Sequence, residues 1–94
     1  MIGRVDFVAE CFWSGVTEQD VRNSDSRLCA AIAELASSGQ RVGYAGPLVM
    51  TTDEVVMYLF EGTEELVRLA AERAGIPYDR IIPTSTFNGC VPAD

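Results

Sequence analysis

Asp53-Glu54-Val55-Val56-Met57-Tyr58-Leu59-Phe60-Glu61-Gly62 is the stretch whose reading decides the fold. Its six central residues are apolar and rich in β-branched and aromatic types. Acidic residues and turn formers bracket them, which is the pattern of a strand. Side chains alternate along a strand, so Val55, Met57 and Leu59 point one way and Val56, Tyr58 and Phe60 the other. Neither set is polar. A strand apolar on both sides belongs in the middle of a sheet covered on both faces.

Just upstream, Arg41 to Met50 reads as a partner strand, softened by Gly43, Gly46 and Pro47. Glycine and proline suit an edge or a bulge and would weaken a central strand. Thr51-Thr52-Asp53 is short enough to close a hairpin between the two. Just downstream, Gly62-Thr63 caps a helix with Glu64 and Glu65 in its first turn. Leu66, Leu69, Ala70, Arg73 and Ala74 follow at helical spacing. Gly75 ends that helix and Pro77 prevents its resumption. Arg80 to Phe87 gives a last strand, in which Pro83 again demands an edge or a bulge.

Towards the N-terminus, Val5, Phe7, Ala9, Cys11 and Trp13 alternate with Asp6, Val8, Glu10 and Phe12, a strand ended by Ser14-Gly15. Thr17 caps the helix that follows, with Glu18 and Asp20 near the positive end of its dipole. Val21, Leu28, Ile32 and Leu35 form its apolar stripe. The polar segment around Ser24 leaves two readings, one helix from Thr17 to Ser38 or a break near Ser24. The order is therefore β-α-β-β-α-β over one domain, residues 1–87, with residues 88–94 as a tail. Right-handed crossovers place both helices on one face of a four-stranded antiparallel sheet, the ferredoxin-like α+β arrangement. The first and third strands are then central and the proline-bearing strands are the edges.

Two helices cover one face only. The other carries Val56, Tyr58 and Phe60 or their alternates, joined by Val8 and Phe12 from the neighbouring strand. An apolar patch of that size marks an interaction site. It predicts a homodimer through the sheet face, a pocket for a small apolar ligand, or both together. A chain this short buries roughly 60–65% of its unfolded surface, so a self-associating face would also help its stability.

Composition narrows the partners. Apolar residues make up 48% of the chain and charged residues 22%, the balance of a soluble globular protein. Net charge is −7 and the seven basic residues are scattered arginines, so neither nucleic acid nor an anionic membrane is an expected partner. No apolar run approaches a membrane span, and Met1 to Asp6 carries no secretion leader, which points to the cytoplasm. Cys11, Cys29 and Cys90 show no ligand spacing and read as reduced, separately buried thiols, with Cys11 facing the core and Cys90, in the tail, the one expected to be exposed. There is no histidine, so no metal site and no histidine-based triad is expected. Gly43-Tyr44-Ala45-Gly46-Pro47 matches neither phosphate-loop fingerprint, and no cofactor is expected.

Asp6 and Glu10 are the sharpest candidates for chemistry. They share the face opposite Phe7 and Cys11, and lie roughly 13 Å apart at Cβ, too far to share a proton. Each could act as a lone base raised in an apolar pocket, with Tyr44 or Tyr58 as a hydroxyl donor. The structural alternative pairs them with an arginine such as Arg41 or Arg80. Two functions follow. The first is a small-molecule binder or interaction module. The alternative is a cofactor-free isomerase, cyclase or monooxygenase.

Four stretches carry a family likeness: the first strand with its Gly15-Val16-Thr17 turn, Arg41 to Gly46, Asp53 to Gly62, and Ala74-Gly75-Ile76-Pro77-Tyr78-Asp79-Arg80-Ile81. Together they resemble a family of small bacterial ferredoxin-like domains of unknown function. That family is similar to a nickel-binding protein that assembles as a dimer. The resemblance implies the fold and the dimer. Nickel would need imidazole ligands, which this chain lacks, so no metal-binding residue carries over.

Overall fold

In a computed structural model describing residues 4–87, 89 and 90, the chain forms β1 (Phe7–Phe12), α1 (Glu18–Ser37), β2 (Gly43–Met50), β3 (Val55–Glu61), α2 (Glu64–Arg73) and β4 (Arg80–Pro83). The sheet order is β2-β3-β1-β4, and every neighbouring pair is antiparallel. This is the ferredoxin-like α+β fold, with the two apolar strands in the centre and the proline-bearing ones at the edges. The proposed tail lies outside the described residues except for Gly89 and Cys90. No helix among the described residues is long and apolar enough to cross a membrane.

Local chemistry explains each boundary. Thr17 accepts from the Asp20 amide while the Asp20 carboxylate accepts from the Thr17 amide, a complete capping box. α1 runs unbroken through Ser24, whose hydroxyl donates to the Val21 carbonyl. Thr63 caps α2 through the Leu66 amide. Beyond it, Gly75 takes φ of 71°, a left-handed turn that sends the Ile76 amide back to Ala71. On α2 the buried residues are Val67, Ala70 and Ala71, with Ala74 beyond its end. The Leu66 and Leu69 stripe is only half-buried, because small residues let the helix lie close to the sheet.

Three strands are shorter than the sequence predicts, the first of them β1, which covers Phe7–Phe12 instead of reaching Val5 and Trp13. β2 starts at Gly43 instead of Arg41, and its register slips between Tyr44 and Gly46, where Gly46 has φ of 102°. β4 stops at Pro83 instead of Phe87, because the Val5 amide and carbonyl pair with the Thr86 and Thr84 hydroxyls instead of with backbone groups. The chain beyond it still holds to β1: the Thr84 amide donates to the Asp6 carbonyl, and the Val5 amide to the Thr86 hydroxyl.

Register fixes the faces. Phe7, Ala9 and Cys11 lie opposite Phe60, Tyr58 and Val56, and residues directly opposite share a face. That set packs with Leu28, Leu35, Val67, Ala70 and Ala71 beneath the helices. Val56, Tyr58 and Phe60 are wholly buried there, so they are core and not part of the open face. The open face carries their alternates, Val55, Met57 and Leu59, with Val8, Glu10 and Phe12 from β1.

Candidate functional site

The uncovered face is built from all four strands. Leu48 and Met50 lie beside Met57 and Val55 from β2, and Arg80 and Ile82 lie beside Glu10 and Val8 from β4. Val8 and Val55 form a low floor and are buried, whereas Phe12 at 63% and Leu48 at 53% exposure stand out as a rim. Two large apolar side chains left that open on one contiguous face are the feature that folding alone leaves unexplained.

A charged pair interrupts this surface. Glu10, on central strand β1, is buried to 5% exposure. Its Oε1 accepts from Arg80 Nε at 2.6 Å, and the arginine side chain remains 66% exposed above it. The ordinary reading of this carboxylate, pairing with an arginine, holds, and the partner is Arg80 rather than Arg41. The guanidinium is held above its ordinary pKa by that hydrogen bond. Asp79 sits next to the pair, but its carboxylate accepts from the Phe12 amide at 2.6 Å.

Asp6 lies on the same side as Glu10 and does structural work. One carboxylate oxygen accepts from the Gly62 amide at 2.8 Å and the other from Arg4 Nε at 2.9 Å, tying β1 to the turn before α2. The tyrosines lie on the far side of the sheet. Tyr58 shares a 2.7 Å hydrogen bond with the Ser24 hydroxyl, and Tyr44 donates to Asp25 at 2.7 Å while stacking at a tilt on Phe60. Burial pushes both phenols up; the bond to Asp25 adds to it for Tyr44. The sheet therefore separates Asp6 and Glu10 from Tyr44 and Tyr58. A base from the first pair cannot work on one substrate with a donor from the second.

The cysteines split as well. Cys11 is buried in the core, where burial, then the carboxylates of Asp79 and Glu10, push its thiol up to about 12. Cys29 and Cys90 are exposed, as expected for Cys90 and contrary to the expected burial of Cys29. Cys29 escapes because it falls beside the α1 stripe instead of on it. Among the described residues, no three acidic or thiol side chains converge as a metal site.

A cleft of about 290 Å³ opens between the start of α1 and β2, lined by Val16, Val21 and Val49 with Thr17 and Thr51. Its charged groups and Thr17 are already engaged, Thr17 capping the helix and Glu18 pairing with Arg22. The open sheet face, with a partly engaged charged pair, is the stronger candidate. Sequence reasoning named Val8, Phe12, Glu10 and Arg80. It missed Leu48, Met50 and Ile82, whose alternation is blurred by the bulge in β2 and the shortness of β4.

Neither a family model nor a curated protein matches this chain. Among solved structures, the crystal structure of SCO4226 from Streptomyces coelicolor A3(2) is similar, with a TM-score of 0.67, 19% identity, and coverage of 87% of this chain and 98% of that one. At that identity the likeness establishes the fold and nothing finer: this chain shares the architecture of a small bacterial protein.

Proposed function

We propose that this protein is a cytoplasmic homodimer, its two open sheet faces packed together around a small, mostly apolar organic ligand. The single observation behind this is the uncovered face, with Phe12 and Leu48 projecting from a floor of Val8 and Val55. A second copy suits that surface. Its one charged group at the centre is the Glu10–Arg80 pair, close to neutral, so two chains of net charge −7 can meet there without like charges opposed. Four strands about 4.8 Å apart, crossed by β3 at about 3.3 Å per residue, give a face of about 19 by 23 Å in plan. A standard interface takes about 800 Å² of accessible surface per partner, so pairing would engage the whole face, rim included. The recessed floor between rim residues leaves room for a ligand between the sheets. The dimer implied by the family resemblance agrees with this reading.

Native mass spectrometry of the purified protein tests it. A peak at twice the 10.2 kDa chain mass, with or without a retained small molecule, is the expected result. Single chains alone at micromolar concentration would overturn the pairing.

A further inference from the structure

The Glu10–Arg80 contact leaves much of the guanidinium unused. Only Nε is engaged, end-on to Oε1, and among the described residues neither Nη group has a hydrogen-bond partner. An arginine that closes a salt bridge for its own sake tends to offer its fork to both carboxylate oxygens. Here the buried carboxylate instead fixes the inner edge of the group, and the Nη edge faces out. It lies among apolar neighbours: Ile82 two residues along β4, and Val8, Phe12 and Met57 beside Glu10 on β1 and β3. Elsewhere on the surface, Arg22, Arg68 and Arg73 meet Glu18, Glu64 and Glu34. Arg4 and Arg27 also bond through Nε alone, to Asp6 and to the Ala74 carbonyl, and Arg41 has no hydrogen-bond partner among the described residues. But Arg4 precedes β1, Arg27 lies on α1 and Arg41 precedes β2, so Arg80 is the arginine set beside the apolar residues of the face.

We propose that Arg80, oriented by Glu10, anchors the carboxylate of a small apolar organic acid bound over the open sheet face. This rests on the reading that the face holds a small ligand, and it names the class of that ligand. The planar Nη donors match a carboxylate. Glu10 itself is too deeply covered for a ligand cation to reach. Because Glu10 already balances most of the arginine's charge, a singly charged acid with an apolar body fits the site. A phosphate dianion would bring two charges against that carboxylate. The apolar part of the acid would lie along Val8, Met57 and Ile82.

Titration calorimetry with cinnamate and its neutral counterpart cinnamyl alcohol tests the anchor on the intact protein. Wild type should bind cinnamate at least about tenfold more tightly, the usual worth of a charge-assisted hydrogen bond. Arg80→Gln should erase that ratio while leaving the alcohol's affinity within about twofold. Arg80→Lys keeps the charge without the fork and should give an intermediate ratio. Glu10→Gln keeps an acceptor for Nε and should preserve selectivity, whereas Glu10→Ala should lower it; circular dichroism confirms that each variant is folded. Equal binding of the two probes, no binding of either, or selectivity that survives Arg80→Gln would overturn the proposal. Light scattering on the same samples separates this from the pairing. A selective monomer upholds the anchor and refutes the dimer. A dimer without selectivity that falls apart on Arg80→Gln refutes the anchor and gives Arg80 to the interface.

Discussion

The two faces of one sheet are both apolar, yet they are used in opposite ways. Beneath the helices, Val56, Tyr58 and Phe60 are sealed completely, and every polar atom among them has a nearby partner: Tyr58 has Ser24 and Tyr44 has Asp25. On the other side, Phe12 and Leu48 project and a guanidinium is left half-used. The difference shows where the chain's own resources end. Two helices supply one cover, and a second cover has to come from outside the subunit.

That contrast can be tested from its strong end. Phe60→Ala removes a buried ring from the covered face and should cost about 3–5 kcal/mol in urea unfolding, enough to bring a small domain near its threshold. A loss below about 1 kcal/mol would mean that the core is not where the register puts it.

Alkaline titration probes the same side. The Cys11 thiol moves from its ordinary 9.0 to about 12 in the folded chain, so the folded state keeps this proton longer than the unfolded state does. Its contribution to stability is fully present below pH 9 and is lost as pH rises towards 12. The buried phenols of Tyr44 and Tyr58 shift in the same direction, chiefly through burial. Melting temperature should therefore fall above pH 9, with tyrosinate absorbance, read in a Tyr78→Phe background that removes the surface tyrosine, appearing together with unfolding. Tyrosinate formed well before unfolding would contradict the sealed face.

Tyr44→Phe is a gentler probe. It leaves Asp25 without its phenol donor and should cost about 2 kcal/mol by denaturant midpoint. At the weak end, Leu48→Ser on the open face, in a Met57→Asp background that keeps chains apart, should change stability by no more than about 0.5 kcal/mol. A large loss there would mean that the open face is part of the subunit's own core.

Much of the fold was legible because its signals are local. Thr17 and Thr63 announce the helix starts, Pro47 and Pro83 mark the edges, and the alternation from Val5 to Trp13 assigns the sides of β1 correctly. The orientation of β3 was not legible. With apolar residues on both sides, nothing inside Val55 to Glu61 distinguishes them. The choice is made by pairing with β1 and by Ser24, a helix hydroxyl 34 residues from the Tyr58 it meets. The candidate site shared this fate. Glu10 was visible as a carboxylate in an apolar strand, but grouping it with Tyr44 and Tyr58 required knowing which side of the sheet each side chain takes.

The most direct test of the account is the solution mass of wild type beside Met57→Asp, measured by sedimentation at tens of micromolar. Two chains for wild type and one for a still-folded Met57→Asp is the predicted result. A wild-type protein that sediments as a single chain, or a Met57→Asp variant that stays paired, would contradict it.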